Sequence, residues 1–91
     1  MNETWRVLWD PATVRDLRKI GRAGSERIRE AVCTRLAKDP FAGKRLRVCA
    51  PVPLYRFRVG DYRVVYTVRP DDRLLLILKI GHRREVYRYL R

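Results

Sequence analysis

The chain is poor in the residues from which most catalytic and metal sites are built. Among its 91 residues stand one serine, Ser25, one histidine, His82, and two cysteines, Cys33 and Cys49. Two cysteines and one distant histidine do not make a zinc site. No glycine-rich phosphate loop and no paired carboxylates occur. No stretch reaches the ~18–20 apolar residues of a membrane span, and Met1 to Arg6 lacks the basic-then-apolar order of a secretory leader. A cytosolic location is therefore expected, with Cys33 and Cys49 as reduced packing thiols. A chain this short has room for one core, so residues 1–91 are expected to form a single domain.

Acidic residues are also scarce. Ten Asp and Glu stand against 22 Lys and Arg, a net charge of +12. Such an excess is self-repelling in a compact state and marks a polyanionic partner. Arginine dominates, and the lysines are only Lys19, Lys38, Lys44 and Lys79. Guanidinium groups suit planar, bidentate phosphate contacts. Apolar residues make up 46%, which suits a folded globule rather than a disordered tail.

Glu3 to Trp9 reads as a strand, with Trp5, Val7 and Trp9 on one face. Asp10-Pro11 starts a helix, the acid as N-cap and the proline at the first helical position. That helix runs to Ile20. Gly21 and Gly24 bracket a tight turn, and Ser25 is expected to cap a second helix reaching about Lys38. Its Ile28, Ala31, Val32 and Leu36 recur at helical spacing, and Asp39-Pro40 stops it. Phe41 to Pro53 is irregular. Three strands are expected at about Leu54–Val59, Tyr62–Arg69 and Arg73–Ile80, with a short helix within His82 to Arg91. The fold class is thus α+β: a small antiparallel sheet with an N-terminal helical hairpin on one face, in the order β-α-α-β-β-β-(α).

Gly60-Asp61 is a two-residue hairpin turn, and such a loop dictates register. Val59 then faces Tyr62, Arg58 faces Arg63, Phe57 faces Val64 and Tyr55 faces Tyr66. A three-residue loop at Pro70-Asp71-Asp72 would set Arg63 beside Lys79. Alternation then gathers Tyr55, Phe57, Val59, Tyr62, Val64, Tyr66, Leu74, Leu76, Leu78 and Ile80 on a face under the helices. The other face carries Leu54, Arg56, Arg58, Arg63, Val65, Leu75, Ile77 and Lys79, without an acid. Like charges set opposite each other destabilise a sheet. An anion held there is the simplest physical reason for such a cluster, although a charged outer face is often only a solvated one. The interleaved apolar residues suggest that something covers part of it.

After Gly81, the segment from His82 leaves beside this face and is expected to bring His82, Arg83 and Tyr87 to its rim. Histidine titrates near neutrality, and tyrosine stacks on bases. With serine, thiol and metal chemistry set aside, what remains is Arg, Lys, His, Tyr or Glu acting on phosphate. That favours metal-free, cofactor-free cleavage of RNA, which carries its own 2′-OH nucleophile.

The run Leu54-Tyr55-Arg56-Phe57-Arg58-Val59-Gly60-Asp61-Tyr62-Arg63-Val64-Val65-Tyr66, with Ile80-Gly81-His82-Arg83-Arg84-Glu85-Val86-Tyr87, resembles the RelE/ParE superfamily of toxins. Lys44-Arg45-Leu46 and the helical hairpin fit it too, and the resemblance covers nearly the whole chain. It implies the toxin of a type II toxin–antitoxin module, a ribosome-dependent messenger RNA endonuclease acting on the A-site codon. The toxin would be a monomer within a hetero-oligomer with its cognate antitoxin, and its other partners would be messenger and ribosomal RNA. By position it implies phosphate binding and transition-state stabilisation at Arg56, Arg58 and Arg63. Arg83 would assist the leaving oxygen, Tyr87 would stack on a base, and His82 would be the substitute proton shuttle. It adds Lys79, Lys44, Arg45 and Arg84 as RNA contacts. Relatives commonly carry lysine where Arg56 and Arg58 stand, one of them a proposed general base. An arginine, a donor with no acceptor, is a poor base. Two alternatives remain at this level: a ParE-like, non-enzymatic inhibitor of DNA gyrase, and an inactive RNA-binding relative.

Overall fold

The structure is a computed structural model that describes residues 4–89, with 87–89 described by backbone alone. Strand β1 (Arg6–Trp9) leads into helices α1 (Pro11–Ile20) and α2 (Arg22–Ala31), and α2 continues as a π-helical turn over Val32–Leu36. Strand β2 (Lys44–Arg45) is followed by β3 (Tyr55–Val59), β4 (Tyr62–Arg69), a 3₁₀ turn (Pro70–Asp72), β5 (Leu74–His82) and α3 (Arg83–Tyr89). The sheet order is β1-β5-β4-β3-β2. The β3–β4 and β4–β5 pairs are antiparallel, as expected; β2 adds a short antiparallel edge within the stretch expected to be irregular, and β1 joins β5 in parallel.

Local chemistry accounts for the helical hairpin. Asp10 caps α1, its Oδ1 accepting from the Ala12 N–H at 2.8 Å, and Pro11 sits in the first turn. Gly21, at φ 94°, separates the helices in a conformation that favours glycine. Here the structure corrects one expectation: α2 begins at Arg22, so Ser25 is no cap but lies inside the helix. Its buried hydroxyl donates to the Leu17 carbonyl at 2.7 Å, stapling α2 to α1. The stripe Ile28, Ala31, Val32 and Leu36 is buried as its spacing predicts. It packs with Leu17, Phe57, Val59, Val64, Tyr66, Leu75, Ile77 and Ile80 in the core between helices and sheet.

The β3–β4 hairpin has the predicted register throughout, Arg58 opposite Arg63 included. Gly60 has φ 59° and, among the described residues outside glycine, only Arg73 has positive φ; this is the sign pattern of a type II′ turn. The β4–β5 register departs from expectation. The loop holds four residues rather than three, with Arg73 in the left-handed region, so Arg69 pairs with Leu74. A bulge between Val65 and Tyr66 then inserts Leu78, so Val65 pairs with Lys79 and Arg63 with Gly81. One extra loop residue inverts which side chains of β5 meet the helices, and the bulge restores the original sense beyond it. Leu75 and Ile77 therefore lie in the helix-side core, Leu78 lies on the opposite face, and Ile80 stays where expected.

That opposite face is itself partly covered from within the chain. Leu54, Val65 and Val86 of α3 form a second buried cluster, flanked by Leu46, Ala50 and Leu78. The irregular segment and α3 thus shield the apolar part and leave the arginines at the β3 side. Among the described residues no helix is long and apolar enough to cross a membrane.

Two buried polar anchors hold the frame. Tyr66 is fully buried; its hydroxyl donates to the Pro40 carbonyl at 2.8 Å and accepts from the Gly43 N–H at 3.0 Å. A Cβ at Gly43 would collide with this hydroxyl and with the Arg56 carbonyl, so only glycine permits the approach. Burial pushes the Tyr66 phenol up to about 12 from the ordinary 10. The second anchor is Asp16 on α1, 8% exposed, which accepts from Lys79 Nζ at 2.9 Å and from the Ile80 N–H at 3.0 Å. Strand β1 stops pairing at Ile77, and Asp16 supplies an acceptor to the edge of β5 beyond it.

Tyr66→Phe leaves a buried N–H and a carbonyl without their partner, and we expect a loss of about 1–3 kcal/mol by urea unfolding. The folded state holds the phenolic proton more tightly than the unfolded one. The tyrosine's contribution is therefore full below pH 10 and falls as pH rises from 10 toward 12, a slope the phenylalanine variant lacks. Asp16→Ala removes acceptors from an ammonium and a strand N–H, and should cost about 2–3 kcal/mol. Asp16→Asn keeps one acceptor and should lose less in the same titration.

Candidate nucleic-acid interface

Two cross-strand pairs of cations, Lys44 opposite Arg56 and Arg58 opposite Arg63, lie on the face away from the helices. Together with Ala42, Gly43 and Phe57 they line a groove of 280 Å³, and among the described residues no acid lines it. The pairing follows from local rules: the two-residue turn aligns Arg58 with Arg63, and alternation puts Arg56 on the same side. Like-charged partners on neighbouring strands repel, more so where the groove excludes water.

Arg63 is 8% exposed, and its Nη1 donates to the Gly60 and Tyr62 carbonyls, both at 3.1 Å. It is therefore a cation held rigidly from beneath, whereas Arg58 is exposed and Arg56 half-buried. The same turn also positions the start of α3: the Arg83 N–H donates to the Asp61 carbonyl at 2.9 Å. Gly60 and Asp61 thus bring the base of Arg83 to the end of the sheet at which Arg63 is anchored. Sequence reasoning missed these carbonyls, because a backbone acceptor leaves no mark in residue type.

The remaining predicted residues divide. Arg83 and Arg84 are exposed at the start of α3. Tyr87 lies on α3, but its side chain is outside the described residues. Arg45 pairs with Tyr55, on the side opposite the Lys44–Arg56 pair, and lines a neighbouring groove with Lys44, Leu46 and Arg47. Lys79 does not neighbour Arg63 as expected. It stands opposite Val65, and its ammonium is paired with Asp16, so an acid from α1 neutralises a charge expected to be unopposed. No sequence signal foretells that pair, whose members are 63 positions apart.

His82 is also misplaced by the expectation. Because Gly81 takes the position opposite Arg63, His82 pairs with Tyr62 and turns to the helix side. Its ring meets Tyr62 edge-on at 6.5 Å, beside a cavity of 630 Å³ shared with Asp16, Lys19, Lys79 and Glu85. The structure does not bring it to the Arg58–Arg63 face. Among the described residues, no group of three or more His, Cys, Asp or Glu side chains converges in a way that could hold a metal. Chemically, the groove is an electropositive slot suited to phosphate, made of groups that donate hydrogen bonds.

Comparison with known proteins agrees with this geometry. The family profile described as ParE toxin of a type II toxin–antitoxin system matches residues 7–87. A candidate toxin of Methanocaldococcus jannaschii, RelE1, is 33% identical over 79 residues, 82% of this chain and 86% of that one. The RelBE2 toxin–antitoxin complex of Mycobacterium tuberculosis contains a chain that superposes with a TM-score of 0.78 at 25% identity, over 87% of this chain and 91% of that one. For the RelE–RelB complex of Pyrococcus horikoshii the TM-score is 0.64 at 31% identity, over 88% and 96%. With the sheet order, the helical hairpin and the matched residues in agreement, the chain belongs to the RelE/ParE superfamily of toxins and matches its RelE-like branch.

Proposed function

We propose that this chain is the toxin of a type II toxin–antitoxin pair and an endoribonuclease that cuts messenger RNA in the ribosomal A site. The observation that carries this reading is the cross-strand Arg58–Arg63 pair in a groove that Lys44 and Arg56 also line, with no acid among the described residues lining it. The scissile phosphate lies against Arg58 and Arg63. As the 2′-oxygen adds to phosphorus, negative charge grows on the phosphoryl oxygens, and preset guanidinium groups stabilise that charge more than the ground state. Arg63 costs little reorganisation because the turn carbonyls already hold it. The bond from phosphorus to the 5′-oxygen then breaks, leaving a 2′,3′-cyclic phosphate; Arg83 stabilises the departing oxygen, which takes a proton from solvent to become the 5′-hydroxyl. The 2′-hydroxyl proton leaves to solvent, since guanidinium groups donate hydrogen bonds and accept none. Tyr87 orients a base from α3, and Arg45 and Arg84 extend the contact to RNA backbone.

The silencing partner is an antitoxin with an acidic segment. A cluster of like charges is relieved by any polyanion, so a carboxylate-rich segment competes with RNA for the same groove. The ParE description of the matching family profile supports a second reading, a non-enzymatic inhibitor of DNA gyrase. The groove has no role in that reading.

Arg58→Ala and Arg83→Ala are each expected to abolish growth inhibition while leaving the circular dichroism spectrum unchanged. Transcript 5′ ends mapped after induction should cluster within codons only when the message is translated. Full toxicity in both variants, or altered plasmid supercoiling without new 5′ ends, would reject the RNase reading.

A further inference from the structure

Strand β2 is only two residues long, and its pairing with β3 runs no further toward the turn than Lys44 opposite Arg56. Beyond that point the edge of β3 from Phe57 to Val59 has no neighbouring strand among the described residues. Across this edge, on the helix side, lies a second groove of 370 Å³ between α2, the π-helical turn and the hairpin tip. Two arginines dominate it. The Arg27 guanidinium lies against Gly60, 3.3 Å from where a Cβ would stand. The Arg35 guanidinium sits 5.0 Å over the Phe57 ring.

Both arginines are exposed, and neither forms a salt bridge among the described residues. Glu30 is the one acid lining this groove among the described residues. The Phe57 ring matters physically: a guanidinium stacked on an aromatic face is held in place without being neutralised. Phe57 and the turn are also shared ground. Phe57 lines the first groove and supports Arg35 beside the second, while Gly60 lines the second groove and its carbonyl anchors Arg63. Positive charge therefore continues around an open strand edge from one face to the other.

We propose that the single-stranded RNA held at the Arg58–Arg63 groove runs over the open edge of β3 and is gripped on the helix side by Arg27 and Arg35. This rests on the RNA-cleaving reading and adds a backbone-tracking subsite outside the reacting phosphate. The two arginines engage phosphates, so they raise affinity for all sequences and carry no base preference. A longer RNA reaches the second groove and a trinucleotide does not.

The test uses the full chain and two fluorescein-labelled RNAs, a trinucleotide and a dodecanucleotide. Both carry 2′-O-methyl groups, which block cleavage. Anisotropy titrations are run between 50 and 200 mM salt. For Arg27→Gln/Arg35→Gln, dodecanucleotide affinity should fall about tenfold, and the log–log salt slope should flatten by about 1.4, roughly 0.7 for each phosphate that is no longer neutralised. Trinucleotide affinity should be unchanged. Arg27→Gln alone changes an exposed helix position and should give about a threefold fall, which keeps the test independent of the Arg35–Phe57 stack. Wild-type affinity of both variants for the dodecanucleotide, or an equal fall on both lengths, would overturn the track and leave the RNase reading standing. A wild-type chain that bound neither RNA would also overturn the track, while the translation-dependent 5′ ends decide the RNase reading separately. Loss of binding to an acidic peptide, with dodecanucleotide binding intact, would assign the second groove to a protein and overturn the track.

Discussion

The two-residue turn at Gly60-Asp61 is the constraint on which the site depends. Its length sets Arg58 directly opposite Arg63, its glycine takes the positive φ that the turn needs, and its carbonyls do two further jobs. The Gly60 carbonyl holds the Arg63 guanidinium, and the Asp61 carbonyl holds the first N–H of α3. Elements distant along the chain are thereby drawn to one end of the sheet. A longer loop would break the pairing, free Arg63 and release Arg83 together.

The arrangement carries an electrostatic cost. Four cations line one groove that no carboxylate of the described residues lines, in a chain whose net charge is already +12. The structure tolerates this by leaving Arg58 exposed, by holding the buried Arg63 on backbone carbonyls and by putting neutral anchors around the site. Tyr66 ties the loop before β2 to the sheet through a phenol that stays protonated, and Val86 packs α3 onto Val65 and Leu54 on the sheet side. One cation of the expected cluster, Lys79, is claimed by Asp16, which also satisfies the β5 edge where β1 ends. The rest of the cluster's positive charge is concentrated on β2, β3 and the first residues of β4, where a polyanion gains most by binding.

Strand β5 shows how small backbone choices redistribute chemistry. One additional residue in the β4–β5 loop inverts its first half, and the bulge at Leu78 reverses that inversion. The outcome is that a glycine faces Arg63 while the single histidine turns toward Tyr62. The imidazole is separated from the phosphate slot by the thickness of the sheet. The titratable side chains that line the slot, among the described residues, are therefore lysine and arginine.

Element order, the buried helix stripe, the β3–β4 register and the basic slot were legible in the residues themselves. Each depends on interactions within a few positions, such as the Asp10 cap, the Gly60 turn and strand alternation. The length of the β4–β5 loop was not legible, because an arginine at position 73 gives no warning of a left-handed conformation that usually favours glycine. Nor was the bulge, which relieves sheet geometry rather than expressing a residue preference. The partners of Lys79, Arg83 and Tyr66 were decided by tertiary structure alone. An acid 63 positions away and two backbone carbonyls become neighbours only after the sheet has closed, and local sequence has no means of encoding contacts that packing creates.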